Sequence, residues 1–318
     1  MEKKKIIILQ GGRNEEHEVS LNTGAEVKTA LLKLGYETES LNVNPKTFRQ
    51  DILFFKPDLC FNALHGPFGE DGQIQKILFE LNIPFSHSGV IASTTAFDKN
   101  QTKNCLKNSE INLLKSEIIN KNDVDLKLLN SLLVKYKSYI IKPLSSGSSY
   151  GVQIINSIQN ANIIYERYFK KNELYKNHDN LIIEPYIKGR ELTVTVIQKD
   201  ELSESIEVTE ILSKNKFFDY QAKYTKGFSK HIIPAKIPKL IYNKCLNHSK
   251  IVHDTIGCNG VTRTDFIFDE INEKLYFLEI NTQPGLTSVS LVPEQLKYKG
   301  IDFIELIDLL VKSAKCQK

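Results

Sequence analysis

The sequence has no dense basic cluster with interleaved aromatic side chains, and it has no long apolar run. Its 42 Lys and Arg residues exceed its 38 Asp and Glu residues by four, and the lysines are spread along the chain. Nucleic-acid binding is therefore not expected. The apolar run at residues 6–9 is too short for a signal-peptide core or a membrane span. We therefore expect a cytoplasmic protein without a membrane partner.

The cysteine patterns of metal sites and disulfide frameworks are also missing. The five cysteines are odd in number and show neither a CxxC pair nor Cys/His ligand spacing. They are typical of reduced thiols in a cytoplasmic protein. With 318 residues, of which 41% are hydrophobic and 25% charged, the chain has the composition of an ordinary globular protein. Its length predicts two domains or three small ones.

The N-terminal part of the chain alternates strand-like and helix-like patterns. Residues 6–9 and 59–63 are predicted to form buried strands, residues 23–34 and 73–81 helices, and residues 83–85 a short further strand. This order is typical of a parallel, Rossmann-like sheet.

The pattern changes after residue 97 to a Lys/Asn-rich helical stretch, and short strands dominate from Glu191 onward. Strands are predicted at residues 139–141, 152–155 and 181–184, and helices at residues 158–169, 239–256 and 303–314. The segment 224–231 is polar and contains a glycine, so we expect it to be a mobile loop.

A predicted β-hairpin near the C-terminus has strands at 263–268 and 275–281. If its turn centres near Asn272, Asp265 lies opposite Glu279 and Arg263 lies opposite Asn281. Side chains alternate faces along a strand, so these four point to one side. The side chains predicted to point into a core on the other side are those of Phe266, Phe268, Tyr276, Leu278 and Ile280.

This hairpin predicts a cation site. Like charges directly opposite each other repel, so a cation is expected between Asp265 and Glu279, and hard oxygen ligands favour Mg²⁺. Arg263 adds a cation for developing negative charge, and the turn 282–285 exposes backbone N–H groups beside the acidic face. An ordinary solvated face is the alternative, because a one-residue slip in register would divide the four residues between both faces.

Two other segments are suited to a nucleotide. The Ser/Gly loop 142–151 starts at Lys142, and its backbone N–H groups can approach phosphate oxygens closely. It is not a Walker A loop, because the lysine precedes the glycines and a strand follows; a flexible hairpin loop is the alternative. Glu184 at a strand end and Glu191 after a turn can accept hydrogen bonds from an adenine amino group and from ribose hydroxyls.

Two N-terminal loops follow strands, where α/β sheets place ligands. One loop runs from Gly11-Gly12 through Glu16 into a helix, and it lacks the third glycine of a dinucleotide fingerprint. The other, residues 65–72, begins with His65. Each loop is also compatible with an ordinary connection that has no role in binding.

Together these segments resemble the D-alanine–D-alanine ligases of the ATP-grasp superfamily, in family order from Gly11 to Leu291. The most specific segments are GGRNEEHEVSLNTG (11–24), LHGPFGEDG (64–72), GSSYG (147–151), FFDYQAKY (217–224) and LEINTQPGLTSVSLVP (278–293). The resemblance implies an α/β, Rossmann-like N-terminal domain (1–97) followed by a two-lobed α+β ATP-grasp fold. Its central lobe (98–186) and C-terminal lobe (187–318) would clasp ATP. Family members are commonly homodimers.

The resemblance also implies a reaction, the ATP-dependent ligation of two D-alanines for peptidoglycan precursor synthesis. The first carboxylate attacks the γ-phosphate to form D-alanyl phosphate, and the amine of the second D-alanine then displaces phosphate. Two Mg²⁺, for which Mn²⁺ can substitute, neutralise the triphosphate. Glu279 would bridge both metals, Asp265 would complete one and Asn281 the other. The implied ATP contacts are Lys99, Lys142, Ser148, Glu184, Glu191 and Lys223.

The remaining implied roles concern the amino-acid substrates. Glu16 would bind the first ammonium with His65 beside it, and Ser290 with the Leu291 N–H would hold the second carboxylate. Arg263 and the Gly285 N–H would stabilise the tetrahedral oxyanion. Ser148 and Tyr224 would join Glu16 in a link that closes the loop and excludes water. Tyr224 further implies D-alanine rather than D-lactate as the second substrate.

The departures from the family pattern are the uncharged residues 144–146, Pro185 after Glu184, and the basic loop 225–231. They concern nucleotide affinity and loop closure rather than reaction class. The nearest alternative is another ATP-grasp ligase that joins a different carboxylate and amine, with D-serine, D-lactate or another compound as the second substrate. The others are a non-catalytic nucleotide-binding or regulatory protein on the same fold and an NAD-dependent oxidoreductase.

Overall fold

The computed structural model describes residues 4–14, 16–147, 149–171, 174–213 and 229–318. Three of the predicted site residues, Ser148, Lys223 and Tyr224, lie outside the described residues. Among the described helices, none combines the length and apolar character that crossing a membrane requires.

The chain begins with the predicted parallel βαβ arrangement. Its elements are β1 (Lys5–Gly11), α1 (His17–Lys33), β2 (Glu37–Val43), α2 (Phe48–Phe55) and β3 (Leu59–Asn62). The strand order is β2-β1-β3. Ile6 and Ile8 pack in one core with Leu31 of α1, whereas Ile7 and Leu9 belong to a second core. Both faces of β1 are covered, which explains its uninterrupted apolar run.

The next elements are α3 (Gln73–Glu80), α4 (Val90–Phe97), α5 (Lys99–Leu106) and β4 (Asn112–Leu113). The strand predicted at 83–85 is wrong in extent. Only Phe85 bridges the first sheet, through Cys60, and it also pairs with Lys315 of the C-terminal tail.

The second sheet is antiparallel and has the order β5-β8-β6-β7. Its strands and helices are β5 (Glu117–Asn120), α6 (Leu126–Tyr136), β6 (Tyr139–Pro143), β7 (Gln153–Ile155), α7 (Ile158–Ile164) and β8 (Asn180–Pro185). The helix predicted at 158–169 is α-helical only to Ile164 and continues as a π-helical turn over Tyr165–Phe169.

The third sheet has the order β11-β10-β9-β12-β13-β4. Its strands from the C-terminal part of the chain are β9 (Arg190–Lys199), β10 (Leu202–Ser213), β11 (Ser229–Ile232), β12 (Val261–Asp269) and β13 (Lys274–Asn281). The helices are α8 (Lys239–Ile256), α9 (Leu291–Tyr298) and α10 (Phe303–Lys312). Since β11 begins at Ser229, the prediction of a loop throughout 224–231 is wrong for residues 229–231; residues 224–228 lie outside the described residues.

The hairpin β12–β13 has the predicted register at the end where the sequence predicts a cation site. Arg263 pairs with Asn281 and Asp265 with Glu279, but the register shifts by one residue immediately afterwards, where Phe266 pairs with Phe277. A bulge on β13 produces this shift. Phe277 and Leu275 are therefore buried in the core with Phe266, Phe268 and Ile280. The prediction that Tyr276 and Leu278 point into the core is wrong, since both are partly exposed and Leu278 lines a cavity beside Glu279.

The C-terminal helices connect the hairpin to the first sheet. Leu286 from the loop after β13 and Val292 of α9 share a core with Ile8 and with Leu306 of α10. A capping box at Asp302 and Glu305 marks the start of α10. The loop that follows the acidic hairpin is thereby packed against the N-terminal sheet.

Candidate active site

Two adjoining cavities bring together residues of the second and third sheets and of the loops that follow strands of the first sheet. The large cavity has an empty volume of about 1130 Å³, including space open to solvent, and is lined by Lys142 of β6, Glu184 of β8, Glu191 of β9 and Asp265 of β12. The small cavity has an empty volume of about 620 Å³ on the same measure and is lined by Glu16, His65, Arg263, Asn281 and Gly285. Lys99, Ser146 and Glu279 line both cavities, so these residues mark where the two meet.

Glu184 is the centre of a buried charge cluster in the large cavity. Lys142 Nζ lies 2.8 Å from Glu184 Oε2, and Lys103 Nζ donates to Glu184 Oε1. Burial by itself would raise the pKa of the Glu184 carboxyl, but the two lysines outweigh it and hold that pKa at about 2. Burial lowers the pKa of Lys103, opposed by Glu184.

Lys99 lies at the junction of the two cavities. Asp98 caps α5 by accepting hydrogen bonds from the backbone N–H groups of Asn100 and Gln101, and this cap places Lys99 at the first position of the helix. Lys99 Nζ donates to the Ser146 carbonyl oxygen at 2.9 Å and lies 3.5 Å from Glu279 Oε2. Burial lowers the pKa of the Lys99 ammonium, opposed by Glu279.

The acidic face of the hairpin is partly neutralised by its own arginine. Arg263 donates to Asp265 through Nε at 3.0 Å and through a terminal nitrogen at 2.9 Å. Thr193 of β9 donates its hydroxyl to Asp265 Oδ1 at 2.5 Å. Asn281 Oδ1 accepts from the Gln283 N–H at 3.0 Å, which orients the amide at the end of β13.

The donor set on this face fits Mg²⁺ bound to a phosphate ligand. Within the described ranges no group of three or more His, Cys, Asp or Glu side chains is arranged as a metal site. The predicted set contains two carboxylates, Asp265 and Glu279, and one amide, Asn281. Mg²⁺ is usually held by one or two carboxylates, with phosphate oxygens and water completing its octahedron. The protein ligands are thus suited to a metal that arrives with a polyphosphate.

The small cavity is lined by two buried carboxylates, those of Glu16 and Glu70, beside His65. His65 Nδ1 lies 3.3 Å from Glu70 Oε1, and His65 Nε2 lies 3.1 Å from the Thr23 hydroxyl. Burial raises the pKa of Glu70, and the nearby Glu16 adds to the effect. A Cβ on Gly66, whose φ is +73°, would lie 2.7 Å from Glu16 Oε2. Glycine is therefore required there for Glu16 to occupy this position.

Ser290 and Leu291 lie at the start of α9, beyond the lining of the two cavities. Ser290 Oγ accepts from the Thr287 N–H at 3.1 Å and lies 2.8 Å from the Thr287 hydroxyl. A Cβ on Gly285 would lie 2.9 Å from Ser290 Oγ. Gly285 therefore connects the small cavity to the helix start.

Several residues of this site were not predicted from the sequence. Lys103 and Thr193 gave no local signal, because their partners Glu184 and Asp265 are 81 and 72 residues away. Glu70 lies within the segment 64–72, yet nothing in that segment distinguishes it from Asp71. Among the predicted residues in the described ranges, Glu191 lines the large cavity near Asp265.

Comparison with known proteins identifies the family. The family model described as "D-ala D-ala ligase C-terminus" matches residues 106–312. The D-alanine–D-alanine ligases of Rickettsia bellii and Rickettsia felis are 39% and 41% identical to the chain, and each alignment covers 98% of this chain and 92% of the relative. The chain belongs to the D-alanine–D-alanine ligase family. The predicted resemblance is thereby confirmed, and the chain is an ATP-dependent ligase by family.

Solved structures of the D-alanine–D-alanine ligase family share the fold. The ligase of Bacillus anthracis is 28% identical with a TM-score of 0.79, and the match covers 98% of this chain and 97% of that one. A second structure of that ligase is complexed with ATP, at 27% identity and the same TM-score and coverage. The D-alanyl-alanine synthetase A of Vibrio cholerae, 20% identical with a TM-score of 0.82, covers 98% and 99% of the two chains and shows the fold alone. The predicted Rossmann-like and ATP-grasp fold is confirmed.

Proposed function

We propose that the chain joins two D-alanines into D-alanyl-D-alanine, with ATP as the phosphoryl donor, for peptidoglycan precursor synthesis. The observation that carries this proposal is the junction at Lys99, Ser146 and Glu279, where the large cavity meets the small one. A nucleotide in the large cavity would direct its γ-phosphate toward that junction. A carboxylate substrate in the small cavity would meet the phosphate there.

In this proposal the large cavity binds ATP. Glu184 and Glu191 hold adenosine, while Lys99 and Lys142 contact phosphates; Ser148 and Lys223 belong to the same set but lie outside the described residues. Lys142 contacts Glu184, the residue proposed to hold adenosine. Lys142 would therefore lie within reach of both the adenine and the phosphates of ATP, which refines this assignment. Asp265, Glu279 and Asn281 would hold two Mg²⁺, or Mn²⁺, which would neutralise the triphosphate.

The small cavity binds the first D-alanine. Glu16 receives its ammonium with His65 nearby, and this leaves the carboxylate oxygen directed at the γ-phosphate. That oxygen bonds to phosphorus as the bond to ADP breaks, which gives the acyl phosphate. Arg263 and the Gly285 N–H then stabilise the oxyanion that forms when the second amine attacks the carbonyl carbon. The oxyanion collapses as the C–O bond to phosphate breaks, and the nitrogen loses its proton to give the amide.

The second D-alanine is held by its carboxylate at Ser290 and the Leu291 N–H, at the positive end of the α9 dipole. Tyr224, outside the described residues, completes the link from Ser148 to Glu16 and favours an amine over a hydroxyl as the second nucleophile. D-Serine and D-lactate ligases are the alternative. Supplying ATP and D-alanine with equal D-lactate near neutral pH tests this choice, and predominant ester formation would reject the dipeptide assignment.

The proposal includes a division into residues 1–97, 98–186 and 187–318. Supporting it, the first sheet ends at Asn62, the second spans residues 117–185, and the third begins its main run at Arg190. Asn112–Leu113 crosses from the central part to pair in parallel with β13.

We also propose a cytoplasmic location and a homodimer with no other macromolecular partner; sedimentation of the purified chain tests the dimer.

The deciding experiment is D-alanine-dependent phosphate release from ATP, repeated with Glu279→Gln. We expect activity in the unchanged chain and near-complete loss in the variant, because Gln lacks the charge that holds the metals. Glu273→Gln is the matched control, since Glu273 is exposed in the turn of the same hairpin. Full activity of Glu279→Gln would reject the metal assignment, and phosphate release without D-alanine would reject the ligase reaction.

A further inference from the structure

The side chain of Gln295 in α9 is bonded to the backbone of a neighbouring strand. Gln295 Oε1 accepts from the Thr195 N–H at 2.8 Å, and Gln295 Nε2 donates to the Thr193 carbonyl oxygen at 3.2 Å. Gln295 is 0% exposed. Both ends of one buried amide are therefore used on β9, two residues apart, in the manner of a strand residue.

A bulge in the sheet explains why β9 bonds to a side chain here. Val194 pairs with Val208 of β10 and Val196 with Ser205, so the ladder skips Thr195, which faces the bulged residues Ile206 and Glu207. Buried backbone groups require partners. Gln295 Oε1 supplies one for the Thr195 N–H at this interruption, and Gln295 Nε2 adds a donor to the C=O of Thr193, which stays in the ladder opposite Thr209.

The same strand position reaches the acidic face of the hairpin. Thr193 pairs with Asp265 in the ladder between β9 and β12, and its hydroxyl donates to Asp265 Oδ1 at 2.5 Å. Gln295 therefore contacts the backbone of the residue that orients Asp265. One buried side chain connects α9 to the proposed metal ligand.

The other contacts of α9 act on its two ends. At the first turn, His231 Nδ1 of β11 lies 2.5 Å from Glu294 Oε2. Beyond the last turn, Lys299 Nζ lies 3.2 Å from Glu207 Oε2. The helix start, with Ser290 and Leu291, is therefore held against the sheet by the adjacent Glu294 and Gln295, whereas Lys299 anchors the far end.

We propose that Gln295 is a positioning residue that places the second-substrate end of α9 relative to Asp265. The proposal rests on the proposed function, in which Ser290 and the Leu291 N–H hold the second carboxylate. Loss of the amide would leave the buried Thr195 N–H without its partner at the bulge, remove the Gln295 contact to the Thr193 C=O, and let the helix start and Asp265 shift independently. Binding of the second D-alanine and binding of the metal are therefore expected to weaken together, whereas binding of the first D-alanine is expected to stay unchanged.

The test uses Gln295→Met, which is close to glutamine in volume but cannot make either hydrogen bond. Phosphate release is fitted with separate KM values for the first and second D-alanine. We expect the second KM to rise roughly tenfold or more, since the buried Thr195 N–H loses its partner and the contact to Thr193 is removed, with the first KM within about twofold. Binding of Mn²⁺ in the presence of ADP, followed by electron paramagnetic resonance of free Mn²⁺, is expected to weaken as well.

Matched variants separate this role from general stability. Lys299→Met removes the contact at the far end of the same helix and is expected to lower the melting temperature without changing the ratio of the two KM values. Gln295→Glu keeps an acceptor for Thr195 N–H but, when ionised, has no N–H for Thr193; it is expected to shift the second KM in the same direction, and it decides the test if Gln295→Met does not fold.

Two results distinguish failure of the inference from failure of the proposed function. If Gln295 variants lose stability but keep both KM values, while Ser290→Ala raises the second KM, the positioning role is rejected and the substrate assignment stands. If Ser290→Ala leaves the second KM unchanged, the assignment of the helix start to the second substrate fails, and the positioning role fails with it.

Discussion

Lys142 Nζ lies 2.8 Å from Glu184 Oε2, although the sequence assigned these side chains to opposite ends of the nucleotide. Ile140 pairs with Glu184 and Lys142 with Ile182, so the two are diagonal neighbours on adjacent strands. Lys103 Nζ, from α5, reaches the other carboxylate oxygen. Glu184, which we propose to hold adenosine, and Lys142, which we propose to contact phosphates, therefore belong to one buried electrostatic unit.

This unit predicts acid-sensitive stability. The pKa of Glu184 is about 2 in the folded chain and 4.5 as its ordinary value. A lowered folded pKa contributes stability above the ordinary value, and this contribution is lost as pH falls from about 5 toward 2. We expect the difference in free energy of unfolding between the unchanged chain and Glu184→Gln to shrink over that range. Urea unfolding at several pH values measures it, with Glu166→Gln at an exposed position as control. A difference that is independent of pH would contradict the assignment.

Gly285→Ala is predicted to impair catalysis through Ser290. The added Cβ would lie 2.9 Å from Ser290 Oγ, closer than ordinary packing allows, so the loop must shift. Misplacing the Gly285 N–H would remove the donor that we propose for the oxyanion, and loss of one such donor typically lowers kcat by roughly 10²–10³. Steady-state kinetics measure this effect. Gly300→Ala, at a glycine with φ +80° and open space around it, is expected to cost stability while keeping kcat. Equal kcat in both variants would exclude the proposed donor role.

Gln283→Met is predicted to weaken the attachment of the acidic hairpin to the N-terminal sheet. Asn62 Nδ2 donates to Gln283 Oε1 at 2.7 Å, and Gln283 Nε2 donates to the Leu64 carbonyl oxygen. Removing the amide leaves buried polar groups unpaired, at a cost of about 1–3 kcal/mol. Denaturant unfolding is the measurement, with Gln73→Met at an exposed position at the start of α3 as the comparison. If Gln283→Met lowers the free energy of unfolding no more than Gln73→Met does, the contact contributes little to stability.

Thiol labelling is predicted to distinguish the five cysteines, all of which are free. Burial raises the pKa of Cys245 and of Cys258 to about 12 and raises that of Cys60 further, so these thiols are protonated near pH 8. Cys105 is exposed and is expected to react first with an aromatic disulfide reagent. Cys105→Ser is expected to remove the fast phase, and Cys316→Ser to retain it. A fast phase that survives Cys105→Ser would show that another thiol is accessible.

The sequence predicted the parts of the fold that have strong local patterns. Residues 6–9 are apolar on both faces of β1, and α8 was predicted at its observed limits, 239 to 256. The sequence pattern did not predict β2. Its sequence, ETESLNV, is mostly polar because five of its seven positions are partly or fully exposed. Such a strand has no apolar alternation to reveal it.

For the site, the sequence by itself determined which side chains share the acidic face of the hairpin. Period-two alternation and one turn position were enough to place Asp265 opposite Glu279. Only the tertiary structure decided that a bulge turns Leu278 toward the cavity, that Lys103 reaches Glu184, and that Gln295 completes β9. These outcomes depend on contacts between residues far apart in the chain, and on burial that makes an unpaired group costly, neither of which a local pattern records.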